Sequence, residues 1–149
     1  YLHRTPADLA RVIELANEPD QGPTEVRMVK GAYREAPEVA FQERGKIVDA
    51  YRELAYRALE AGLKLNIATH DEALLRELLA YVRGAGKGAD DYEVQMLYGV
   101  RNGLQEQLVA AGHPMRVYVP FGEDWYGYYS RRIAERPSNL AFVVRGLFG

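Results

Sequence analysis

The sequence contains no cysteine, which excludes disulfide bridges and thiolate metal sites. Its three histidines, His3, His70 and His113, lack the spacing of metal ligands, so we expect no metal site. The net charge is only -2, and this balance gives no indication of nucleic acid or another polyanion as a partner. No apolar run approaches the roughly 20 residues of a membrane span, and no signal peptide is visible. Neither the Gly-x-Gly-x-x-Gly pattern nor a phosphate-binding loop is present, so the two common nucleotide fingerprints do not apply.

What remains is the composition of a globular domain. Of 149 residues, 48% are hydrophobic and 27% are charged, which is enough apolar material for one sizeable core. We find no internal boundary and expect one domain over residues 1–149. Because the chain starts at Tyr1 and enters a helix-like segment at once, we also expect it to be a piece of a longer protein.

Strand and helix patterns alternate along the chain. An opening helix is predicted with Thr5 as its N-cap and Pro6 in its first turn. Strands are predicted at residues 26–29, 64–70, 92–97 and 115–119, and helices at residues 37–61, after the N-cap Asp71, at 103–111 and from about Asp124. This alternation indicates an α/β fold with a parallel sheet. Four such units are half of a (βα)8 TIM-like barrel, although a small open α/β sheet has the same pattern.

The two faces of each predicted strand differ in polarity, because successive side chains point to opposite sides of a sheet. The apolar positions are Val26, Met28, Leu65, Ile67, Val94, Met96, Val117 and Val119. The polar positions are Arg27, Asn66, His70, Glu93, Gln95, Arg116 and Tyr118. A doubly wound sheet has helices on both faces and should be apolar on both. The pattern therefore favours a barrel with a polar interior.

The polar positions also predict where the side chains meet. Barrels place their chemistry at the carboxyl ends of the strands. We expect convergence there of Arg27, His70, Gln95, Leu97 and Tyr118. Lower on the same face, we expect an ion pair between Glu93 and Arg116.

A helical pattern near the C-terminus carries the most distinctive polar cluster. Tyr128, Arg131, Arg132 and Glu135 follow the i, i+3, i+4, i+7 spacing of one helix face. Paired arginines are suited to binding a carboxylate or a phosphate with two hydrogen bonds each. The alternative is a solvated face on which both arginines pair with Glu135. Two other positions also stay open: Gly31 suits either a ligand approach or an ordinary turn, and His70 suits either a cofactor contact or a structural role.

Taken together, the chain resembles the proline dehydrogenases of bacterial type. The matching segments are RMVKGAY at 27–33, ATH at 68–70, YEVQMLYG at 92–99, RVYVPFG at 116–122 and residues 128–142. They occur in the family order, cover nearly the whole chain and correspond to the C-terminal half of the catalytic barrel. The resemblance implies that this chain supplies strands 5–8 with their helices, and that a missing N-terminal half completes the barrel.

The resemblance also implies an activity. Members oxidise L-proline to Δ1-pyrroline-5-carboxylate, reduce FAD and pass the electrons to a quinone. It implies a cytoplasmic protein with a peripheral contact to the inner membrane. Proline would be bound by Arg131, Arg132, Tyr118, Tyr128 and Leu97. FAD would be contacted by Arg27, Val29, Gly31, Ala32, Tyr33, Ala68, Thr69, His70, Gln95, Arg132, Glu135 and Phe142.

Three positions depart from the family pattern. Arg34 stands where the family often has Trp, Asp71 stands where it often has Asn, and the match around Lys46 is weak. No catalytic residue is assigned, because the substrate Lys and Asp of the family belong to the N-terminal half. Two alternatives use no flavin: a barrel enzyme that binds a carboxylate or phosphate through its arginine pair, and a non-catalytic binding module.

Overall fold

The computed structural model describes residues 1–31 and 35–122. Its elements, in chain order, are α1 (Thr5–Ala16), β1 (Glu25–Met28), α2 (Arg44–Glu60), β2 (Lys64–Ala68), α3 (Glu72–Gly84), β3 (Tyr92–Leu97), α4 (Asn102–Ala110) and β4 (Met115–Tyr118). Within these two ranges, no helix is both long and apolar enough to cross a membrane.

The four strands form one sheet in the sequential order β1-β2-β3-β4, and each neighbouring pair is parallel. The predicted α/β fold with a parallel sheet is therefore confirmed. A doubly wound sheet reverses its strand order at a switch point, and these four strands contain no such reversal. All four carboxyl ends consequently lie along one edge of the sheet.

The core lies between the apolar face of the sheet and the helices. Leu65, Ile67, Val94 and Met96 of the central strands are at most 2% exposed. Two predicted helix stripes complete this core, both of them entirely buried: Tyr51, Leu54, Ala55, Ala58 and Leu59 of α2, and Leu74, Leu75, Leu78, Leu79 and Val82 of α3. The helices thus cover the apolar side of the central strands, and the predicted site residues of these strands lie on the opposite, polar side.

Two helix starts differ from the prediction. The first helix has Arg4 as its N-cap, and Thr5 is already helical and makes no side-chain cap. The second begins at Arg44, because the segment before it pairs with the start of the chain: Leu2 forms an antiparallel bridge with Ala40. The predicted start of α3 is right, since the Asp71 side chain accepts a hydrogen bond from the Leu74 amide at 3.3 Å.

Candidate active site

The polar face of the sheet carries a continuous chain of hydrogen bonds across three strands. Arg27 Nε donates to Gln95 Oε1 at 2.8 Å, and Gln95 Nε2 donates to Glu93 Oε1 at 2.8 Å. Arg116 donates to both Glu93 oxygens, from Nε at 2.7 Å and from Nη2 at 3.0 Å. Arg116, and then Gln95, hold the pKa of Glu93 below its usual value by hydrogen bonds to its carboxylate.

These contacts bear on two sequence predictions. The expected pair of Glu93 with Arg116 is confirmed. Arg27 and Gln95, which lie two strands apart, are in direct contact as the expected convergence requires. Gln95 makes one bond as acceptor and one as donor, so its amide orientation is fixed. The Arg27 guanidinium is thereby held over the polar face at the end of β1.

A second group of predicted residues meets at the carboxyl end of β3. The Leu97 amide donates to His70 Nε2 at 2.9 Å. In this contact Nε2 is an acceptor, which corresponds to the neutral imidazole with its proton on Nδ1. Leu97 is also in register with Tyr118 of β4, whose carbonyl accepts from the Tyr98 amide at 2.9 Å. His70, Leu97 and Tyr118 therefore lie together.

The end of β1 is held by contacts that the sequence did not reveal. Lys30 Nζ lies 2.5 Å from Asp71 Oδ2, and their side chains are only 17% and 20% exposed. The Asp71 amide donates to Thr69 Oγ1 at 3.1 Å. From the other side, the buried Tyr51 hydroxyl donates to the Met28 carbonyl at 2.9 Å, and burial raises the pKa of this phenol. The Lys30–Asp71 pair thus connects the segment after β1 to the segment after β2, and both segments contain residues that are predicted to contact the cofactor.

Gly31 has two structural reasons to be glycine. Its φ is 89°, a left-handed conformation that side chains with a β-carbon rarely adopt. A β-carbon built at this position would also overlap the ring of Tyr1. The space beside Gly31 is therefore filled by the chain itself, which supports the turn interpretation. A cofactor contact through its backbone stays a prediction.

The remaining predicted positions divide into two groups. Val29 follows β1 and is exposed, Ala68 ends β2, and Thr69 is buried. Outside the described residues lie Ala32, Tyr33, Tyr128, Arg131, Arg132, Glu135 and Phe142. The predicted arginine clamp therefore stays a prediction.

The Lys30–Asp71 pair leads to a pH-dependent stability prediction. Lys30 first, through its hydrogen bond, holds the pKa of Asp71 below its ordinary value. The resulting stabilisation is present above the unfolded-state pKa of about 4 and is lost as pH falls through the lower folded-state pKa. Asp71→Asn keeps a good N-cap but removes the charge, and we expect a loss of about 1–2 kcal/mol near pH 7 that shrinks below about pH 4.

Urea unfolding across this pH range measures the difference. Asp49→Asn is the matched control, because Asp49 forms an ion pair with Arg52 but is 71% exposed. Exposed pairs contribute about 0–1 kcal/mol, so this variant should lose less. An Asp71→Asn deficit of equal size at every pH would contradict the assigned charge interaction.

Comparisons with known proteins place the chain in a family. The family model described as proline dehydrogenase matches residues 1–145. Proline dehydrogenase of Deinococcus radiodurans is 46% identical over 147 residues, which are 99% of this chain and 45% of that protein. Proline dehydrogenase 2 of Bacillus subtilis strain 168 is 42% identical over 147 residues, with 99% of this chain and 46% of that protein covered. The chain thus spans less than half the length of these two relatives.

Solved structures agree with the sequence comparison. Proline utilization A from Bdellovibrio bacteriovorus, inactivated by N-propargylglycine, superposes with a TM-score of 0.83 at 28% identity, covering 100% of this chain and 17% of that chain. A bifunctional proline utilization A protein superposes with a TM-score of 0.80 at 28% identity, covering 97% of this chain and 16% of that one. The chain belongs to the proline dehydrogenase family.

Proposed function

We propose that residues 1–149 are the second half of a (βα)8 barrel, strands 5–8 with their helices, in a protein that oxidises L-proline. The observation that carries this proposal is the two-faced sheet. The apolar side of its central strands is covered by helices, whereas the apolar positions Val117 in β4 and Val119 directly after it are 37% and 51% exposed. Its polar side brings Arg27 to Gln95, and His70 meets Leu97 at the strand ends. Barrels have this arrangement, with the reactive residues at the carboxyl ends of the strands.

The need for a second half is supported by the two outer strands of the sheet. In the part of the chain that the structure describes, β1 and β4 each pair with only one neighbouring strand. An unpaired strand edge leaves a row of backbone N–H and C=O groups without partners. Strands from the other half of the barrel would pair with these two edges and close the sheet.

The residues at the carboxyl ends fit a bound FAD. Arg27 offers a fixed positive charge. Gln95 on β3, and Thr69 and His70 directly after β2, are polar groups of defined orientation. With Val29, Ala68 and residues 31–33 they would line the cofactor, and Glu135 and Phe142 would complete its surroundings. When bound, a flavin supplies the capacity to accept a hydride. Arg27 would stabilise the negative charge of the reduced ring electrostatically.

Proline would bind beside this cofactor. Leu97 and Tyr118 lie next to each other at the strand ends and would contact the ring, with Tyr128 on another side. Arg131 and Arg132 would bind the carboxylate, each with two hydrogen bonds. Such a clamp holds the substrate in one orientation, which is the main contribution of a protein to this type of reaction.

The overall reaction is balanced with a quinone as the second substrate. Proline loses a hydride from the ring carbon that is bonded to nitrogen and does not carry the carboxylate, and it loses a proton from the nitrogen. These losses form the carbon–nitrogen double bond of Δ1-pyrroline-5-carboxylate. The quinone takes up the two electrons and two protons and becomes a hydroquinone. Because quinones reside in membranes, we place the reaction in the cytoplasm at the inner-membrane surface.

Product analysis of the whole protein tests this proposal. The protein is incubated with L-proline and a soluble quinone, and the cyclic imine is trapped with an aromatic amino-aldehyde. We expect one imine formed for each quinone reduced, and none from the protein without proline. A protein that turns over a phosphate or carboxylate substrate without a flavin and forms no imine would contradict it.

A further inference from the structure

The turn after β3, residues 98–101, has an unusual backbone, and Leu97 at the end of β3 leads into it. Arg101 adopts φ 54° and ψ 46°, the left-handed conformation that is unfavourable for residues other than glycine. Gly99 is also left-handed, with φ 77°. A non-glycine residue persists in this conformation only where its surroundings determine it, and such residues concentrate at functional sites. The contacts that hold this turn therefore bear on its function.

Four side chains hold the turn in place. Gln105 Nε2 donates to the Leu97 carbonyl at 3.0 Å and to the Val100 carbonyl at 2.8 Å. Arg101 pairs with Glu72 at the start of α3, at 2.7 Å. His70 accepts from the Leu97 amide on the opposite side of the same residue. The backbone of Leu97 is thus bound at its N–H and at its C=O by two different side chains.

The Gln105 side chain is not needed to start its own helix. The Leu104 and Gln105 amides donate to the Arg101 carbonyl at 2.9 and 3.1 Å, which closes the first turn of α4 with backbone alone. Both hydrogen bonds that Gln105 Nε2 donates end on carbonyls that precede the helix. The Gln105 side chain therefore stabilises the position of residues 97–100 rather than the start of α4.

We propose that Gln105 is a positioning residue that fixes Leu97 against the substrate ring and so determines which ring size is accepted. This inference rests on the proposed oxidation of proline, in which Leu97 contacts the ring. Loss of the two hydrogen bonds would let residues 97–100 move away from the ring. Binding of the five-membered ring would weaken, and discrimination against a six-membered ring would decrease.

The test uses Gln105→Leu in the whole, flavin-containing protein. We expect the KM for L-proline to rise by roughly 3- to 30-fold with kcat changed less than about twofold, as for lost hydrogen bonds that position a substrate contact. The preference for L-proline over L-pipecolate, its six-membered homologue, should fall by a similar factor. Amide hydrogen exchange over residues 97–101 should accelerate in the same variant.

Two further variants keep the test decisive. Gln107→Leu makes the same substitution at an exposed position of α4, and we expect it to match the original protein. Gln105→Lys retains donors that reach the two carbonyls and should recover most of the affinity for proline, including where Gln105→Leu fails to fold. Unchanged KM and ring preference in Gln105→Leu would overturn the inference, as would a folded Gln105→Lys variant that does not recover the affinity for proline. A wild-type protein without flavin or proline oxidation would instead refute the proposed function, while the exchange measurement would still report on the turn.

Discussion

Replacing Arg131 or Arg132 by methionine is expected to raise the KM for L-proline by roughly 30- to 1,000-fold, as for the loss of one partner from a desolvated charge pair. Methionine preserves much of the length and the apolar stem of arginine but removes the guanidinium. The carboxylate of proline would then lose a pair of charge-assisted hydrogen bonds. Steady-state kinetics of the whole protein, with flavin content checked for each variant, measures the effect.

Two control variants distinguish a specific arginine contact to the proline carboxylate from a general effect of positive charge on the KM. Arg132→Lys keeps the positive charge but cannot form the planar two-bond contact, so its KM should lie between those of the original protein and the methionine variant. Arg4→Met removes an arginine that is 76% exposed and paired with Asp8, and it should leave the KM unchanged. If the arginines form a solvated face with Glu135, all these variants will have the same KM, and the clamp assignment fails.

Gly31→Ala is expected to cost the most stability of the changes considered for the described residues. The left-handed backbone at this position adds about 1–2 kcal/mol for a residue with a β-carbon. Overlap with the Tyr1 ring adds about 1–3 kcal/mol, because the backbone of Tyr1 is held by the Phe41 amide at 2.9 Å. The free energy of unfolding in urea should therefore fall by the sum of both terms.

Gly62→Ala is the matched control for this substitution. Gly62 has φ 77°, but a β-carbon there meets no atom within 4 Å. This variant should therefore lose only the free energy that the left-handed backbone conformation costs a residue with a β-carbon. Adding Tyr1→Ala to Gly31→Ala should recover the overlap term and reveal a coupling between the two sites. Equal losses for Gly31→Ala and Gly62→Ala, with no coupling to Tyr1, would show that the ring does not restrict residue 31.

Much of the local structure follows from the sequence because its signals are short-range. The strand at 92–97 has the same bounds in the structure as in the prediction, since period-2 alternation between turn residues is unambiguous there. The Glu93–Arg116 pair follows from one rule, the alternation of faces on adjacent strands. The N-cap Asp71 is equally readable from an acidic residue before an apolar stripe.

What the sequence did not reveal depends on contacts between distant segments. Residues 39–41 have no local signal against helix, and the segment is kept out of α2 by pairing with the start of the chain. Lys30 and Asp71 are 41 positions apart, and no spacing rule joins them. Gln105 resembles Gln107 in sequence, and only the folded turn distinguishes them. The left-handed Arg101 is likewise determined by tertiary contacts rather than by its residue type.

The most direct test of the proposed proline oxidation is an absorbance spectrum of the whole purified protein under anaerobic conditions, before and after addition of L-proline. We predict the visible bands of an oxidised flavin and their loss when proline is added, without any quinone present. Bands that persist after proline is added would contradict proline as the electron donor. A correctly folded whole protein that lacks these bands and binds no added FAD would contradict the flavin site.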